Sequence, residues 1–250
     1  MTCVTKDAER PVTRRGPLCV MAFALAVGGL AACTYRGDID NPAKLKATWF
    51  SYLNGDDIRQ RCVEGAPDEF RLVYNADYNE QLRSYEVFEQ AAGDGRLLAR
   101  VQGPSGLQVS RLELRDPLAW ARWTTSETAL DPEDLARLTA ALERSGAFQP
   151  APAGLNLYSE ETYWVSSLCR EGVFSFNAWL FPSERFAEIA FAEVLFAHDG
   201  TEVAVRPPKD APPGARARAT VPQRRDASDK TGSFFTLRVG ENGLAGNLAL

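Results

Sequence analysis

Apolar residues around position 50 recur every fourth residue, which predicts an amphipathic helix. Leu45, Trp49 and Leu53 share one face of this helix. The pair Asn41-Pro42 before them is a typical helix start, because asparagine caps the free amides and proline fits the first helical position. Gly55 follows the last apolar residue and marks the end of the helix.

A second helix is predicted directly after Asp131. Asp131 is a good N-cap, and the proline and acidic residues that follow it suit the first turn. Leu135, Leu138 and Leu142 line one face, and Gly146 lies just beyond the last turn. The spacing indicates that this face packs against a core.

Most of the remaining pattern alternates between apolar and polar residues and is rich in aromatic and β-branched side chains, as is typical of strands. Two of the strands flank the turn 170–172 and predict a hairpin. Residues 190–205 suit another hairpin, although 186–196 also suit a helix, and both interpretations remain open. The predicted strands cover residues 70–75, 81–88, 96–101, 107–114, 162–169, 173–180 and 233–239.

This order of elements predicts an α+β fold, a mainly antiparallel β-sheet with a few short helices. Residues 41–205 are of the size of a single globular domain. Residues 206–232 are rich in proline, alanine and arginine and predict a flexible linker, and residues 233–250 supply a C-terminal strand and tail. That last strand is expected to reach the edge of the sheet.

The N-terminus has the pattern of an export signal. Residues 17–32 carry no charge and directly follow Arg14 and Arg15. The stretch is shorter than the ~20 residues that cross a bilayer, so it predicts a secretory signal rather than a membrane span. Export by the general route is favoured over the twin-arginine route, because Pro17 departs from the twin-arginine pattern.

The signal ends in Leu30-Ala-Ala-Cys33, which resembles the lipobox of bacterial lipoproteins. The resemblance implies that residues 1–32 are a signal peptide that is removed and that Cys33 becomes the lipidated first residue. Residues 33–40 would then be a tether, and the lipid on Cys33 would hold the protein in a membrane. Thr34 follows the cysteine where an aspartate favours the inner membrane, so the resemblance implies the outer membrane, facing the periplasm.

A second resemblance covers residues 48–75, which are similar to stretches of uncharacterised bacterial envelope proteins. It covers less than a fifth of the chain and implies no activity.

The five cysteines can be assigned in full. Two leave with the signal peptide and Cys33 carries the lipid, so Cys62 and Cys169 remain. An even number of cysteines in an exported chain predicts a Cys62–Cys169 disulfide. Two separate buried thiols are the alternative.

Charge and composition exclude several classes of protein. A net charge of -5 argues against a nucleic-acid partner. Residues 206–232 carry seven basic and three acidic side chains and could bind anionic lipid, but a solvated linker that partly neutralises the acidic body is the simpler interpretation. Three adjacent acidic pairs are interpreted as solvated surface charge: Asp56-Asp57, Asp68-Glu69 and Glu160-Glu161.

Motifs for catalysis are lacking in the sequence. It contains no phosphate loop, dinucleotide fingerprint or nucleophile elbow, and His198 is its single histidine. We therefore predict no catalytic residue, metal or cofactor. Four aromatic residues near Glu160 and Glu161 could line a sugar or peptide groove, although sheet aromatics are more often core. The four are Tyr158, Tyr163, Trp164 and Trp179.

The favoured function is a non-enzymatic envelope lipoprotein that binds an envelope partner. An envelope enzyme that acts on glycans through paired carboxylates is the alternative, and a small-ligand carrier is a third. A cleft with two carboxylates, one of raised pKa, would favour the enzyme. An exposed apolar patch on an acidic surface would favour the binding module.

Overall fold

Six antiparallel strands form the central sheet of the computed structural model, which describes residues 35, 39, 42–90, 93–103, 123–220 and 234–245. The strand order is β4-β3-β2-β1-β6-β7. The predicted fold class is confirmed. The strands are β1 (Glu69–Ala76), β2 (Leu82–Glu89), β3 (Gly95–Gln102), β4 (Thr124–Leu130), β6 (Thr162–Arg170) and β7 (Val173–Leu180).

Eight of the predicted elements, two helices and six strands, are confirmed, and β4 was not predicted. The hairpin around residues 170–172 is the β6–β7 pair, in which Trp164 lies opposite Trp179. Sequence TTSETAL in β4 is polar and half exposed, so it lacks the apolar alternation that identifies a strand. The strand predicted at 107–114 lies outside the described residues.

Helices cover both faces of the sheet. On one side, which we call the α1 face, lies α1 (Pro42–Asn54), followed by α2 (Asp56–Arg61). On the other side, the α3 face, lie α3 (Pro132–Arg144), α4 (Glu184–Ala187) and α5 (Phe191–Ala197). Within the described residues no helix is both long and apolar enough to span a membrane.

The start of α3 and the end of α1 have the predicted causes. The Asp131 carboxylate accepts a hydrogen bond from the Asp134 amide at 2.8 Å and so caps α3. Gly55 ends α1 in the left-handed conformation, with φ of 66°. A side chain there would be strained, and its Cβ would also lie 2.4 Å from Ser167 Cβ, so only glycine fits between the helix and β6.

Side chains alternate across the strands and divide the core in two. Val73, Val165 and Ala178 point to the α1 face and pack on Trp49 and other residues of α1. On the α3 face the apolar side of α3 packs with α5 and the sheet, and its buried residues are Phe70, Leu72, Tyr74, Tyr85, Leu97, Leu135, Leu138, Leu142, Trp164, Leu168, Trp179, Phe191 and Leu195.

The region 186–205 follows the helical alternative rather than the hairpin. Residues 191–197 form α5, whose Phe191 and Leu195 are buried, and residues 202–209 form neither helix nor strand. The four-residue spacing of Phe191 and Leu195 is helical, and the aromatic content that suggests a strand instead reflects burial.

A small second sheet lies against the α1 face. It consists of β5 (Asn156–Tyr158), β8 (Thr236–Val239) and β9 (Leu244–Ala245), in the order β5-β8-β9. The predicted C-terminal strand is therefore present, but it pairs with β5 instead of the edge of the central sheet. Leu237 and Val239 of β8 are buried in the core of the α1 face.

Parts of two segments that were expected to be flexible pack on the domain. Tyr35 and Ile39, within the predicted tether 33–40, are 4% and 1% exposed and belong to the core. In the predicted linker 206–232, Tyr74 at the end of β1 and Thr162 at the start of β6 bind the carbonyls of Arg206 and Lys209, and α6 (Ala215–Thr220) begins with a buried Ala215. The described parts of both segments contain few apolar residues, but specific contacts hold them.

Candidate functional site

The disulfide predicted from the cysteine count is present. Cys62 and Cys169 are bonded, with Cα atoms 5.5 Å apart and a sequence separation of 107. Cys62 directly follows α2 and Cys169 lies in β6, opposite Glu69 of β1. The bond therefore fixes the segment after α2 to the end of the central sheet.

The disulfide end of the molecule exposes two apolar side chains. Val63 is 59% exposed and Val173 is 65% exposed. The turn that carries Val173 lies tightly against the chain at Val63, since a Cβ on Gly172 would come within 2.7 Å of the backbone of Val63 and Glu64. We call this surface, formed by residues 62–67 and 171–173, the disulfide tip.

Beside the disulfide tip lies a cleft of about 400 Å³. It lies between α3 and the ends of β1, β2 and β6. Its walls combine apolar and charged side chains, and the lining residues are Asp68, Phe70, Glu89, Gly93, Pro132, Leu135, Ala136, Thr139, Ala140, Glu143 and Arg170. Its acidic residues outnumber its one basic residue, so the cleft is negatively charged.

The charged groups of the cleft are held in place by the fold. The Asp68 amide donates to Glu89 Oε2 at 3.0 Å, and Asp68 Oδ1 accepts from the Glu171 amide at 2.8 Å. Arg170 pairs with Glu143 at 2.5 Å. Burial raises the pKa of Asp68; the hydrogen bond from the Glu171 amide offsets part of this rise, and the nearby charge of Glu89 adds to it.

Of the acidic residues of this cleft, the sequence pattern pointed to Asp68 alone, and as surface charge rather than as part of a site. Asp68 was expected to be solvated surface charge, yet it is half-buried in the cleft. Glu89 and Glu143 come from β2 and α3, far from Asp68 in sequence, and the fold brings them together.

The expected aromatic groove does not form. Neighbouring residues on a strand point to opposite faces, so Tyr163 is buried under α1 while Trp164 and Trp179 are buried under α5. Each of these three is 1% exposed. Tyr158 is half-buried beside the Arg216 guanidinium at 5.6 Å. Tyr163, Trp164 and Trp179 are therefore core residues, the more common role of sheet aromatics.

A buried ionic cluster lies on the α1 face. Arg71 donates to Asp57 through both terminal nitrogens at 2.8 Å and to Glu86 through Nε at 2.9 Å. Arg100 also donates to Glu86. Burial alone would raise the pKa of Asp57, but the hydrogen bonds and charge of Arg71 outweigh this and lower it.

The cluster serves the fold. The Arg71 guanidinium lies 4.0 Å from the centre of the Tyr52 ring and also donates to the Tyr52 carbonyl. It therefore joins α1, α2 and the sheet. Asp57, read from the sequence as surface charge, is only 6% exposed, because Arg71 reaches it from β1.

A second buried ion pair stabilises the α3 face. Arg83, which is fully buried, donates to Asp199, and the Tyr85 hydroxyl donates to the same carboxylate at 2.6 Å. Thr201 donates to the other oxygen. His198, next in the chain, lies 3.2 Å from Asp134 of α3 and close to the Val194 carbonyl. These contacts fix the segment after α5.

The basic segment 206–216 lies along an acidic edge of the domain. The Arg206 carbonyl accepts from Tyr74, and the Lys209 carbonyl accepts from Thr162. These contacts agree with a segment that neutralises the acidic body. The ion pairs are Arg206 with Glu80 (2.7 Å), Lys209 with Asp77 (3.8 Å) and Arg216 with Glu161 (3.0 Å).

Among the residues whose positions the structure gives, no three histidine, cysteine or acidic side chains are grouped so that they could hold a metal ion. Cys33, the expected lipidation site, lies outside them. Comparison with known proteins found no matching family model, no similar curated protein and no similar solved structure.

Proposed function

We propose that the protein is a lipid-anchored, non-enzymatic binding lipoprotein of the bacterial cell envelope. The Cys62–Cys169 disulfide carries this proposal. Disulfides persist in oxidising compartments and are rare in the bacterial cytosol, so the bond agrees with export. The lipobox 30–33 supplies the anchor at Cys33, and Thr34 favours the outer membrane, facing the periplasm.

The anchor is strong enough to hold the domain permanently. Each buried CH2 of an acyl chain contributes about 0.8 kcal/mol, and one chain gives only marginal binding. The two or three chains that lipoproteins carry would keep the domain at the membrane surface. The domain would then act where it is anchored.

The binding surface of this proposal is the cleft with the adjacent disulfide tip. Its floor is apolar through Phe70 and Leu135, and its rim carries Asp68 and Glu89. This chemistry suits a protein segment with apolar and basic side chains, because the cleft offers burial to the first and opposite charge to the second. The two exposed valines of the disulfide tip extend the apolar contact area.

The anchor is tested by replacing one atom. Cys33→Ser removes the sulfur that would carry the lipid, and Cys19→Ser is the matched control within the proposed signal. Cells that express each chain receive a clickable palmitate analogue and are fractionated. We expect the unaltered chain and Cys19→Ser to carry label and to collect with the outer membrane. Equal labelling of Cys33→Ser would refute the anchor.

The binding surface is tested by photo-crosslinking in native envelopes. A photoreactive amino acid replaces Ala136, which lines the cleft, or Gln60, which is exposed on α2. We expect a discrete adduct of a protein partner from position 136 alone. The double charge-removing variant Asp68→Asn/Glu89→Gln should weaken it several-fold. The same adducts from both positions, or no effect of the charge change, would refute this surface.

One observation favours the enzyme as a second candidate. The cleft holds Asp68, with its raised pKa, together with Glu89 and Glu143. A glycosidase needs a protonated carboxyl and an ionised one on the two sides of the scissile bond. Release of reducing ends from purified cell-wall glycan, lost in Asp68→Asn and retained in Gln60→Ala, would establish this activity. The binding proposal expects no release from either chain.

A further inference from the structure

The fold begins almost at the proposed anchor. Tyr35 is buried, and its ring packs edge-on against Tyr52 with the ring centres 4.8 Å apart. Its backbone amide donates to Ser51 Oγ at 3.0 Å. Four residues on, the Ile39 carbonyl accepts from Trp123 Nε1 at 3.0 Å, and Ile39 is 1% exposed. Both described residues of the expected tether are therefore fixed to the domain.

The covalent reach of the chain limits the distance between anchor and domain. A residue spans at most ~3.6 Å, so two residues separate Cys33 from Tyr35 by about 7 Å at most. A free tether of eight residues would instead have a root-mean-square length of about 15 Å and could turn in all directions. Docking of Tyr35 removes that freedom.

We propose that the surface around the end of α1 and α2 lies against the headgroups of the lipid bilayer, so that the domain has one orientation on its membrane. This inference rests on the proposed lipidation of Cys33. Ser51 Oγ accepts a hydrogen bond from the Tyr35 amide and donates one to Asp56 at 2.7 Å. The partly exposed and exposed side chains here are polar, which suits a headgroup layer: Ser51, Asp56, Arg59, Gln60 and Arg61.

The orientation has a consequence for the cleft. α3 lies behind the central sheet as seen from Tyr35, separated by two packed layers of about 10 Å each. The α3 wall of the cleft therefore faces away from the bilayer. A partner in the aqueous compartment reaches it without passing the membrane.

Quenching by spin-labelled lipid measures the orientation. In the mature protein Cys33 carries lipid and the other two cysteines form the disulfide, so an introduced cysteine is the free thiol for a fluorophore. Gln60→Cys places the probe about one helical turn beyond Asp56, and Ala136→Cys places it on the exposed side of α3. Each full-length protein is purified with its lipid and inserted into phosphatidylcholine vesicles that contain a headgroup-nitroxide lipid.

We expect quenching at Gln60→Cys to exceed quenching at Ala136→Cys at least threefold. The matched control inserts twelve Gly/Ser residues between Thr34 and Tyr35, which lengthens the connection by about 20 Å without touching the core. The insertion should lower quenching at position 60 to the level of position 136.

The outcomes separate this inference from the proposed function. Mass spectrometry that finds no lipid on Cys33, with loss of vesicle flotation, refutes the anchor and the orientation together. A lipidated protein that floats with the vesicles, yet shows equal quenching at both positions or no effect of the insertion, refutes the fixed orientation alone.

Discussion

Removing the Cys62–Cys169 disulfide should destabilise the domain by an amount that follows from its place in the chain. The bond closes a loop of 107 residues. In the chain-entropy model, a loop of that length restricts the unfolded state by about 4.8 kcal/mol at 25 °C. Typical domains are stable by only about 5–15 kcal/mol, so the loss would be a large part of the total.

Two experiments separate the effect of the disulfide on stability from the effect of the cysteine side chains. Addition of a reductant breaks the bond in the unaltered chain, and the variant Cys62→Ala/Cys169→Ala lacks it from the start. Urea unfolding followed by tryptophan fluorescence gives the free energy of unfolding for each. We expect both to lose about 3–5 kcal/mol, and we expect the reductant to have no effect on the double variant.

The reasoning fails if reduction of the unaltered chain lowers the free energy of unfolding by less than about 1 kcal/mol. The unfolded chain would then be restricted by something other than the disulfide. A large loss in the double variant without a loss on reduction would instead assign the effect to the side chains, of which Cys169 is 2% exposed.

Three further predictions concern stability. Arg71→Met leaves Asp57 and Glu86 buried beside a neutral side chain, and we expect urea unfolding to record a loss of about 3–5 kcal/mol; a loss below 1 kcal/mol would contradict this. Because the pKa of Asp57 is lowered in the folded protein, its contribution is complete above its unfolded pKa of about 4 and is lost as the pH falls through the lower folded pKa. Stability measured from pH 6 to 2 should therefore fall less steeply in Asp57→Asn. Gly172 has a φ of 76°, and an added Cβ would lie 2.7 Å from the backbone of Val63 and Glu64, whereas Gly65 has a φ of 79° and open space around it. Gly172→Ala should therefore cost about 2 kcal/mol more in thermal unfolding than Gly65→Ala. Equal losses would refute the steric argument.

Much of the fold could be predicted from local pattern alone. Capping residues located the end of α1 and the start of α3, because their signals lie within one turn of the helix end. The strands of the β6–β7 hairpin were evident from alternation and aromatic content. The disulfide followed from counting cysteines, once the lipobox had accounted for Cys33.

The candidate cleft could not be predicted in this way, because its charged residues come from four separate elements. Asp68 precedes β1, Glu89 ends β2, Glu143 lies in α3 and Arg170 ends β6. Their approach depends on the order of strands in the sheet. Single-sequence patterns specify elements and faces, but they carry little information on which strand ends meet.

The same limit explains why two polar segments were expected to be flexible, although their described parts pack on the domain. Tyr35 is one aromatic residue in a polar stretch, and its burial depends on Tyr52 and Arg71 beneath it. Composition measures how much apolar surface a segment offers, and not whether the domain holds a place for it.

Charge links these corrections to each other. Adjacent acidic residues look solvated when each is considered alone, yet Asp57, Glu160 and Glu161 are buried. Glu161 is 3% exposed and pairs with Arg216, which lies in the basic segment. Buried carboxylates of the acidic domain thus pair with cations from distant segments, and these ion pairs form only when the segments lie against the domain. Three of the basic residues after position 205 therefore have acidic partners in the domain: Arg206, Lys209 and Arg216.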